Sequence, residues 1–391
     1  MNWAILLGSP DISGGTYVIF EHAIRAKRRG HEVTIITEEP VQSSRLDWHP
    51  EARELTWKTF DEVADVTFDL AFATWWRTVY ELHRVTASQY AYFVQSIEAW
   101  FYPPEERPLR QLADATYMIG LPIITEAKWI QQHLQKTSQT DAYLVRNGIR
   151  KDIYTLEGDA HDPRQDGKLR VLVEGPLGVP FKNVERTIEL CRKSQADEVW
   201  LLTSSPIDSH PNVDRVFSRI PIFETPRVYR SCDVIVKLSY VEGMFGPPLE
   251  MFHCGGTAIT YDVTGHDEYI RNGENAFVAP RDDEAQVVAY LNRLKQEPEE
   301  LRRLKAEARA TALAWPDWET TAQSFIAAAE QVCQQGTLSQ ALLHARSRFF
   351  FDSYAIAQDY KNAVQTPGIK ASLQHLKRAV KTRLKRTLTP T

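Results

Sequence analysis

The sequence predicts an α/β protein built as two doubly wound lobes, and three observations carry that reading. Strand, glycine-rich loop and helix patterns alternate along the chain, and the alternation starts afresh after a polar stretch at residues 155–168. The 391 residues, 43% of them hydrophobic, suffice for two full cores. An opening strand, loop, helix, strand order is the first unit of a doubly wound sheet, whose ligands sit at the carboxyl ends of the strands.

Residues 4–7 read as a short buried strand, 8–15 as a loop, 16–29 as a helix closed by Gly30, and 33–37 as the second strand. Gly14 and Gly15 then face a cleft. Their spacing is not Gly-x-Gly-x-x-Gly, so no dinucleotide site is read. Strands follow at 70–74, 90–95, 117–120 and 142–145, with helices near 79–85, 105–113 and 126–136. This first lobe spans 1–154, and residues 155–168, with Gly158, Asp159, Asp162, Pro163, Asp166 and Gly167, form a linker.

The second lobe, 169–319, begins with a strand at 169–173, a loop at 174–183 and a helix at 184–193. Lys182 is a point charge at a helix start, suited to a diphosphate. Strands at 198–203 and 213–217, a helix at 226–232 and a strand at 233–238 lead to the richest stretch of the chain. Helices at 283–296, 298–313 and 320–335 come after it, and residues 320–391 are read as a crossover helix with a basic amphipathic extension.

That stretch is Ser239-Tyr-Val-Glu242-Gly-Met-Phe-Gly246-Pro-Pro-Leu-Glu250. Gly243 and Gly246 suit left-handed turns and close approach of a ligand, and Pro247 and Pro248 have the preset φ of a first helical turn. The helix therefore starts beside the loop, with its free N–H groups and positive dipole end toward an anion. Glu242, on the loop, and Glu250, in the first helical turn, are unsuited to gripping that anion and reach past it to hydroxyl groups on either side. A nucleotide sugar has hydroxyls at both ends.

Composition removes several classes. Residues 369–391 hold seven basic residues and no acid, so the rest of the chain carries −12, the −5 of the whole less this +7. An acidic body without a recognition motif is a poor nucleic-acid binder, and no nucleic-acid partner is expected. Four scattered cysteines without a Cys-x-x-Cys pair fit reduced thiols. The N-terminus shows neither a signal peptide nor a spanning segment, so a cytoplasmic protein is expected. Ile369, Leu373, Leu376, Val380, Leu384 and Leu388 form an apolar stripe opposite the basic residues. Such a helix either lies on anionic membrane at its inner face or packs on the acidic body, and both stay open.

The Glu-x7-Glu pair within Glu242 to Glu250, preceded by Tyr229-Arg-Ser-Cys-Asp233, resembles the donor site of family 4 retaining glycosyltransferases of GT-B fold. The resemblance implies two Rossmann-like lobes across a cleft, with C-terminal helices returning to the first lobe. It implies transfer of a sugar from a nucleotide diphosphate donor to a saccharide or lipid-linked acceptor. Catalytic roles then fall to Glu242, Lys182 and Gln95, and donor binding to Gly14, Gly15, Lys182, Glu242, Gly243, Met244, Phe245, Gly246 and Glu250. With no Asp-x-Asp motif, neither metal nor cofactor is expected.

The aromatic run Tyr92-Phe-Val-Gln95-Ser-Ile-Glu98-Ala-Trp-Phe-Tyr-Pro103 resembles a stretch of surface-polysaccharide rhamnosyltransferases, which implies a dTDP-rhamnose donor. Glu98, Trp100 and Tyr102 are its candidate acceptor contacts; packing between the lobes is the other reading of these aromatics. The chain departs from the family pattern at Gln95, Arg150, Pro176 and Ala276. A nucleotide-sugar epimerase, a phosphorylase and a non-catalytic nucleotide-sugar binding subunit remain alternatives at this point.

Overall fold

The computed structural model describes residues 1–336 and 338–365. In the first lobe β1 (Asn2–Leu6), β2 (Glu32–Thr37), β3 (Thr56–Thr59), β4 (Thr67–Ala73), β5 (Thr86–Val94), β6 (Ile123–Thr125) and β7 (Ala142–Leu144) lie in the order 3-2-1-4-5-6-7. Helices α1 (Gly14–Arg28), α2 (Trp76–Glu81), α3 (Arg107–Ala115) and α4 (Lys128–Ser138) connect them. In the second lobe β8 (Arg170–Glu174), β9 (Glu198–Thr203), β10 (Arg215–Ser218), β11 (Val234–Lys237), β12 (Thr257–Tyr261) and β13 (Phe277–Ala279) lie in the order 10-9-8-11-12-13. The helices here are α5 (Val184–Lys193), α6 (Thr225–Ser231), α7 (Gly246–His253), α8 (Glu284–Gln296) and α9 (Pro298–Ala314).

Every ladder is parallel, so central strands are covered on both faces and read as continuous apolar runs; β12 buries all five of its residues. α1 starts where Ser13 Oγ accepts the Thr16 amide at 3.0 Å and ends on Arg25, Lys27 and Arg28, cations that suit its negative end. The strand order reverses between β1 and β4 and again between β8 and β11, which opens a crevice at the carboxyl end of each sheet. β8 and β11 pair Val173 with Val236, so the next residues, Glu174 and Lys237, emerge side by side at that crevice.

Two local expectations are corrected. Residues 117–120 are no strand: the chain turns there, Gly120 takes φ +88°, and the strand comes after it at β6. The apolar run that suggested extension instead delivers Tyr117 to the core from a turn. β3 was not anticipated because its four residues form an edge strand with no fully buried side chain to mark it.

The chain crosses between lobes twice, and the crossings touch. A Cβ on Gly148 would stand 2.5 Å from the Asp317 carbonyl carbon, the Ile149 amide donates to Pro316 O at 3.2 Å, and the Trp315 indole donates to Asn147 O at 2.8 Å. Asp317 then caps α10 (Trp318–Cys333), which buries Trp318, Phe325 and Val332 in the first lobe's core. Arg150, which departs from the family's usual acid, is buried between carboxylates of the first lobe and of its own crossing: Glu51 at 2.6 Å, Asp152 at 2.6 Å and Glu21 at 3.3 Å. Glu21 is fully buried with Arg25 as its other cation, so the guanidinium at the lobe junction compensates a charge that could not stand alone.

α11 (Gln340–Gln365) packs Leu343 and Ser347 against the first lobe and joins Glu106 through Lys361 at 2.8 Å. No described helix is long and apolar enough to cross a membrane. Cys191, Cys232, Cys254 and Cys333 are all free thiols. The amphipathic stripe read at 369–391 lies outside the described residues.

Candidate active site

The loop after β11 carries Glu242, and the loop after β8 carries Lys182. Asn183, held at φ 55°, ends the turn at Lys182, and its side-chain amide donates to Leu238 O at 3.2 Å. The Tyr240 amide donates to Phe181 O at 2.8 Å, which ties the two loops together. As a result Lys182 Nζ reaches Glu242 Oε2 at 2.8 Å. Glu242 is fixed from behind as well: its amide donates to Thr264 Oγ1 at 3.0 Å, whose hydroxyl donates to Glu242 O at 2.8 Å.

A second cation completes this group. Lys237, 3% exposed, holds Glu174 at 2.5 Å and stands 3.7 Å from Glu242 Oε1. Burial alone would push the Glu242 carboxyl up, but Lys182 and Lys237 outweigh it and hold its pKa below the usual carboxylate range. Glu242 is thus a buried carboxylate that stays ionised. Lys237 was missed in the sequence, where it ends an otherwise apolar strand; a lysine at the last position of a buried strand was the available signal.

Glu250 lies in a different environment. Tyr229 Oη donates to Glu250 Oε2 at 2.9 Å, so the tyrosine of the preceding helix serves this acid directly. Burial pushes the Glu250 carboxyl up to about 7, the Tyr229 hydrogen bond working against it and the Glu174 charge with it. α7 starts at Gly246 with the two prolines in its first turn, which places Glu250 in the second turn and not the first. Gly243 and Gly246 do not take positive φ as expected. Gly243 is required for close approach alone, and Gly246 has open space around it. Met244 and Phe245 bury their side chains in the second lobe's core, leaving only backbone to a ligand.

In the first lobe, Gly15 and Gln95 come together: a Cβ on Gly15 would lie 3.4 Å from Gln95 Oε1, whereas Gly14 faces open space. Gln95 O presses on Gly243, so Gln95 touches loops of both lobes. Glu98 is 6% exposed; its Oε2 accepts the Trp76 amide at 2.6 Å and the Tyr92 hydroxyl at 3.1 Å. Burial pushes its carboxyl up to about 8. Glu98 therefore anchors the start of α2 and is set apart from the Glu242 group. Tyr102 accepts the Trp76 indole N–H at 3.0 Å, and Trp100 stacks on Trp129 at 5.6 Å. Phe101 stacks on Phe181 of the opposite lobe at 4.6 Å, so part of the aromatic run is lobe interface. His266 bonds the Val263 carbonyl at 2.6 Å, a structural contact.

Residues 212–311, which include both acids, match the glycosyl transferases group 1 family model. The O-antigen biosynthesis protein RfbC of Myxococcus xanthus is 26% identical over 233 residues, 54% of this chain but only 17% of RfbC's own length. Among solved structures, Anabaena HepE in complex with UDP and glucose superposes with a TM-score of 0.67 at 14% identity, over 85% of this chain and 100% of HepE. Sucrose-phosphate synthase from Thermosynechococcus elongatus gives 0.65 at 16% identity, over 84% and 98%. Residues 212–311 are therefore a glycosyl transferases group 1 segment, and the chain that carries them has the two-lobed GT-B glycosyltransferase fold.

Proposed function

We propose that the chain is a retaining glycosyltransferase that moves a sugar from a nucleoside-diphosphate donor to a saccharide or lipid-linked acceptor in polysaccharide or glycan biosynthesis. One observation carries the reading: Lys182, Lys237 and Glu242 converge at the crevice of the second lobe, with Glu250 eight residues further along. Two lysines at that position oppose the charge that grows on a departing diphosphate, the part of the reaction where electrostatic stabilisation does most. Lys237, whose Nζ would lie 3.8 Å from a Cβ on Gly175, the residue before Pro176 where the family's arginine is missing, supplies a second cation from a different strand. Glu242 orients the transferred sugar, Glu250 holds the ribose hydroxyls, and Gln95 faces the sugar from the first lobe. HepE, of the same fold, is described with UDP and glucose, and RfbC with O-antigen biosynthesis, which supports the substrate class.

With two lysines on the diphosphate, the reading needs no divalent ion, and the aromatic run after β5 favours dTDP-rhamnose as donor. The test is consumption of UDP-, GDP- and dTDP-sugars in excess chelator. Turnover of dTDP-rhamnose at full rate is expected; rate loss restored by magnesium would reject metal independence, and consumption of none of the donors would reject the proposal.

A lipid-linked acceptor also asks for a membrane-facing surface. α11 exposes Phe349, Ile356, Tyr360 and Val364 at spacings of seven, four and four, one stripe of the helix, and the basic stretch 369–391 follows it. The protein is expected to pellet with anionic vesicles and to be released at 1 M salt, where the Debye length is about 3 Å. Unchanged pelleting after Ile356→Asp with Tyr360→Asp would sink the assignment of this stripe.

A further inference from the structure

One turn of the first lobe reaches across the cleft with three groups. Directly after β6, Glu126 accepts the Met244 amide on Oε1 at 2.8 Å and the Asn147 side-chain amide on Oε2 at 2.8 Å. The Trp129 indole donates to Gly243 O at 3.0 Å, and the Lys128 amide donates to Glu268 Oε1 at 2.5 Å. Glu126 is 4% exposed, and its two hydrogen-bond partners are neutral amides. A carboxylate without a cation is a costly choice for a buried position. Burial pushes this carboxyl up to about 7 against the two N–H donors, with the Glu242 charge adding to the rise.

What the two oxygens hold explains the choice. Met244 is two residues past Glu242, on the loop that faces Lys182. Asn147 lies in the first interlobe crossing, and its carbonyl accepts the indole of Trp315 in the second. One side chain therefore joins the hinge to the donor loop. We propose that Glu126 is a positioning residue for sugar transfer, fixing the Glu242–Met244 loop against the first lobe by holding the Met244 amide and the hinge residue Asn147 at once. This rests on the donor-site reading given above. It separates two properties of the enzyme: Glu126 bonds Met244 and Asn147, whereas Glu250, which serves the nucleoside end, bonds Tyr229, so binding of the nucleoside diphosphate and speed of transfer respond differently to the loss of Glu126.

The test uses the full chain with Glu126→Ala and Glu126→Gln. Glutamine keeps a carbonyl for Met244, and Asn147, whose Oδ1 is buried without a partner, can turn its amide to accept from the new N–H. The alanine variant is expected to lose at least about 10-fold in kcat, the worth of a hydrogen bond to a charged group. The glutamine variant should stay within about threefold of wild type, and both should bind the nucleoside diphosphate within about twofold of wild type. Hydrogen exchange at the Met244 amide should quicken in the alanine variant and not in the glutamine variant. Should alanine prevent folding, Glu126→Asp, one methylene short of Met244, carries the same expectation. Wild-type kcat in a folded Glu126→Ala protein, or equal loss of nucleoside diphosphate affinity and kcat, overturns the inference. A wild-type protein that consumes no nucleotide sugar overturns the proposed function instead, and the exchange measurement still reports whether Glu126 holds the loop.

Discussion

Gly243→Ala is expected to cut kcat/KM by at least about 100-fold in a protein that still folds, the scale of loss that follows a 1 Å misplacement of reacting groups. The alanine Cβ would stand 2.0 Å from Gln95 O and 2.5 Å from Glu126 Oε1, where real Cβ contacts stay beyond 3.0 Å. The first of these neighbours is backbone at the end of a central strand and cannot swing aside. Nor can the loop retreat: the carbonyl of Gly243 is itself 2.0 Å from where a Cβ on Gly265 would lie, and it accepts the Trp129 indole. Relief can come only by opening the lobes or by carrying Glu242 away from Lys182. Either change is expected to disturb transfer and to leave Glu250 and Tyr229, the proposed nucleoside contacts, in place. Titration with nucleoside diphosphate should therefore give a Kd within about threefold of wild type beside the lost turnover. More than half of wild-type kcat/KM in the alanine variant would show that the lobes do not need this contact during transfer. Gly265→Ala adds strain to the same clash, since Gly265 takes φ +80°, and should fail in the same direction.

The fold was legible because its signals are local. Apolar strand runs, the polar break at 155–168 and helix starts after Asn183 and at the Pro247-Pro248 pair each sit within a few residues of what they determine. The Glu242 to Glu250 spacing was legible for the same reason. What the sequence concealed is which side chains meet: Tyr229 reaching Glu250 across 21 positions, Lys237 turning from the end of its strand to Glu242, and Glu126 reaching Met244 across 118 positions. Glu98 shows the opposite error. An acid in a loop after a strand reads as exposed, yet here the surrounding aromatics bury it and the Trp76 amide and Tyr92 hydroxyl use it as an anchor. The glycine pair of the motif was read as serving left-handed turns and close approach of a ligand, whereas Gly243 is needed because the backbone of Gln95 lies against it, a partner 148 positions away.

The two acids of the motif should separate in kinetics and in pH. With Glu250 proposed to hold the ribose hydroxyls, a part of the donor that does not change during reaction, Glu250→Ala is expected to lose binding uniformly. At about 1.5 to 3 kcal/mol for a charged hydrogen bond, KM should rise roughly 10- to 150-fold with kcat moved less. Glu242→Ala should lower kcat by a comparable factor while nucleoside diphosphate affinity barely changes, because its position matters at the sugar. The pH dependence follows from their surroundings. Glu242, ionised by Lys182 and Lys237, contributes no titration near neutrality. In the proposed role Glu250, pushed up to about 7 by burial, accepts from two ribose hydroxyls at once only when ionised, so affinity should be full well above pH 7 and fall as pH drops through it, by at most about tenfold per unit. For stability of the free protein the sign is reversed. The native state binds this proton more tightly than the unfolded chain, so Glu250's contribution is fully present below the ordinary value of 4.5 and is lost as pH rises through about 7. In Glu250→Gln the pH dependence of Kd should vanish, and in Glu242→Gln it should persist. A dependence that survives Glu250→Gln, or a Glu242→Ala variant that loses nucleoside diphosphate binding while Glu250→Ala retains it, would reverse the assignment of the two carboxylates.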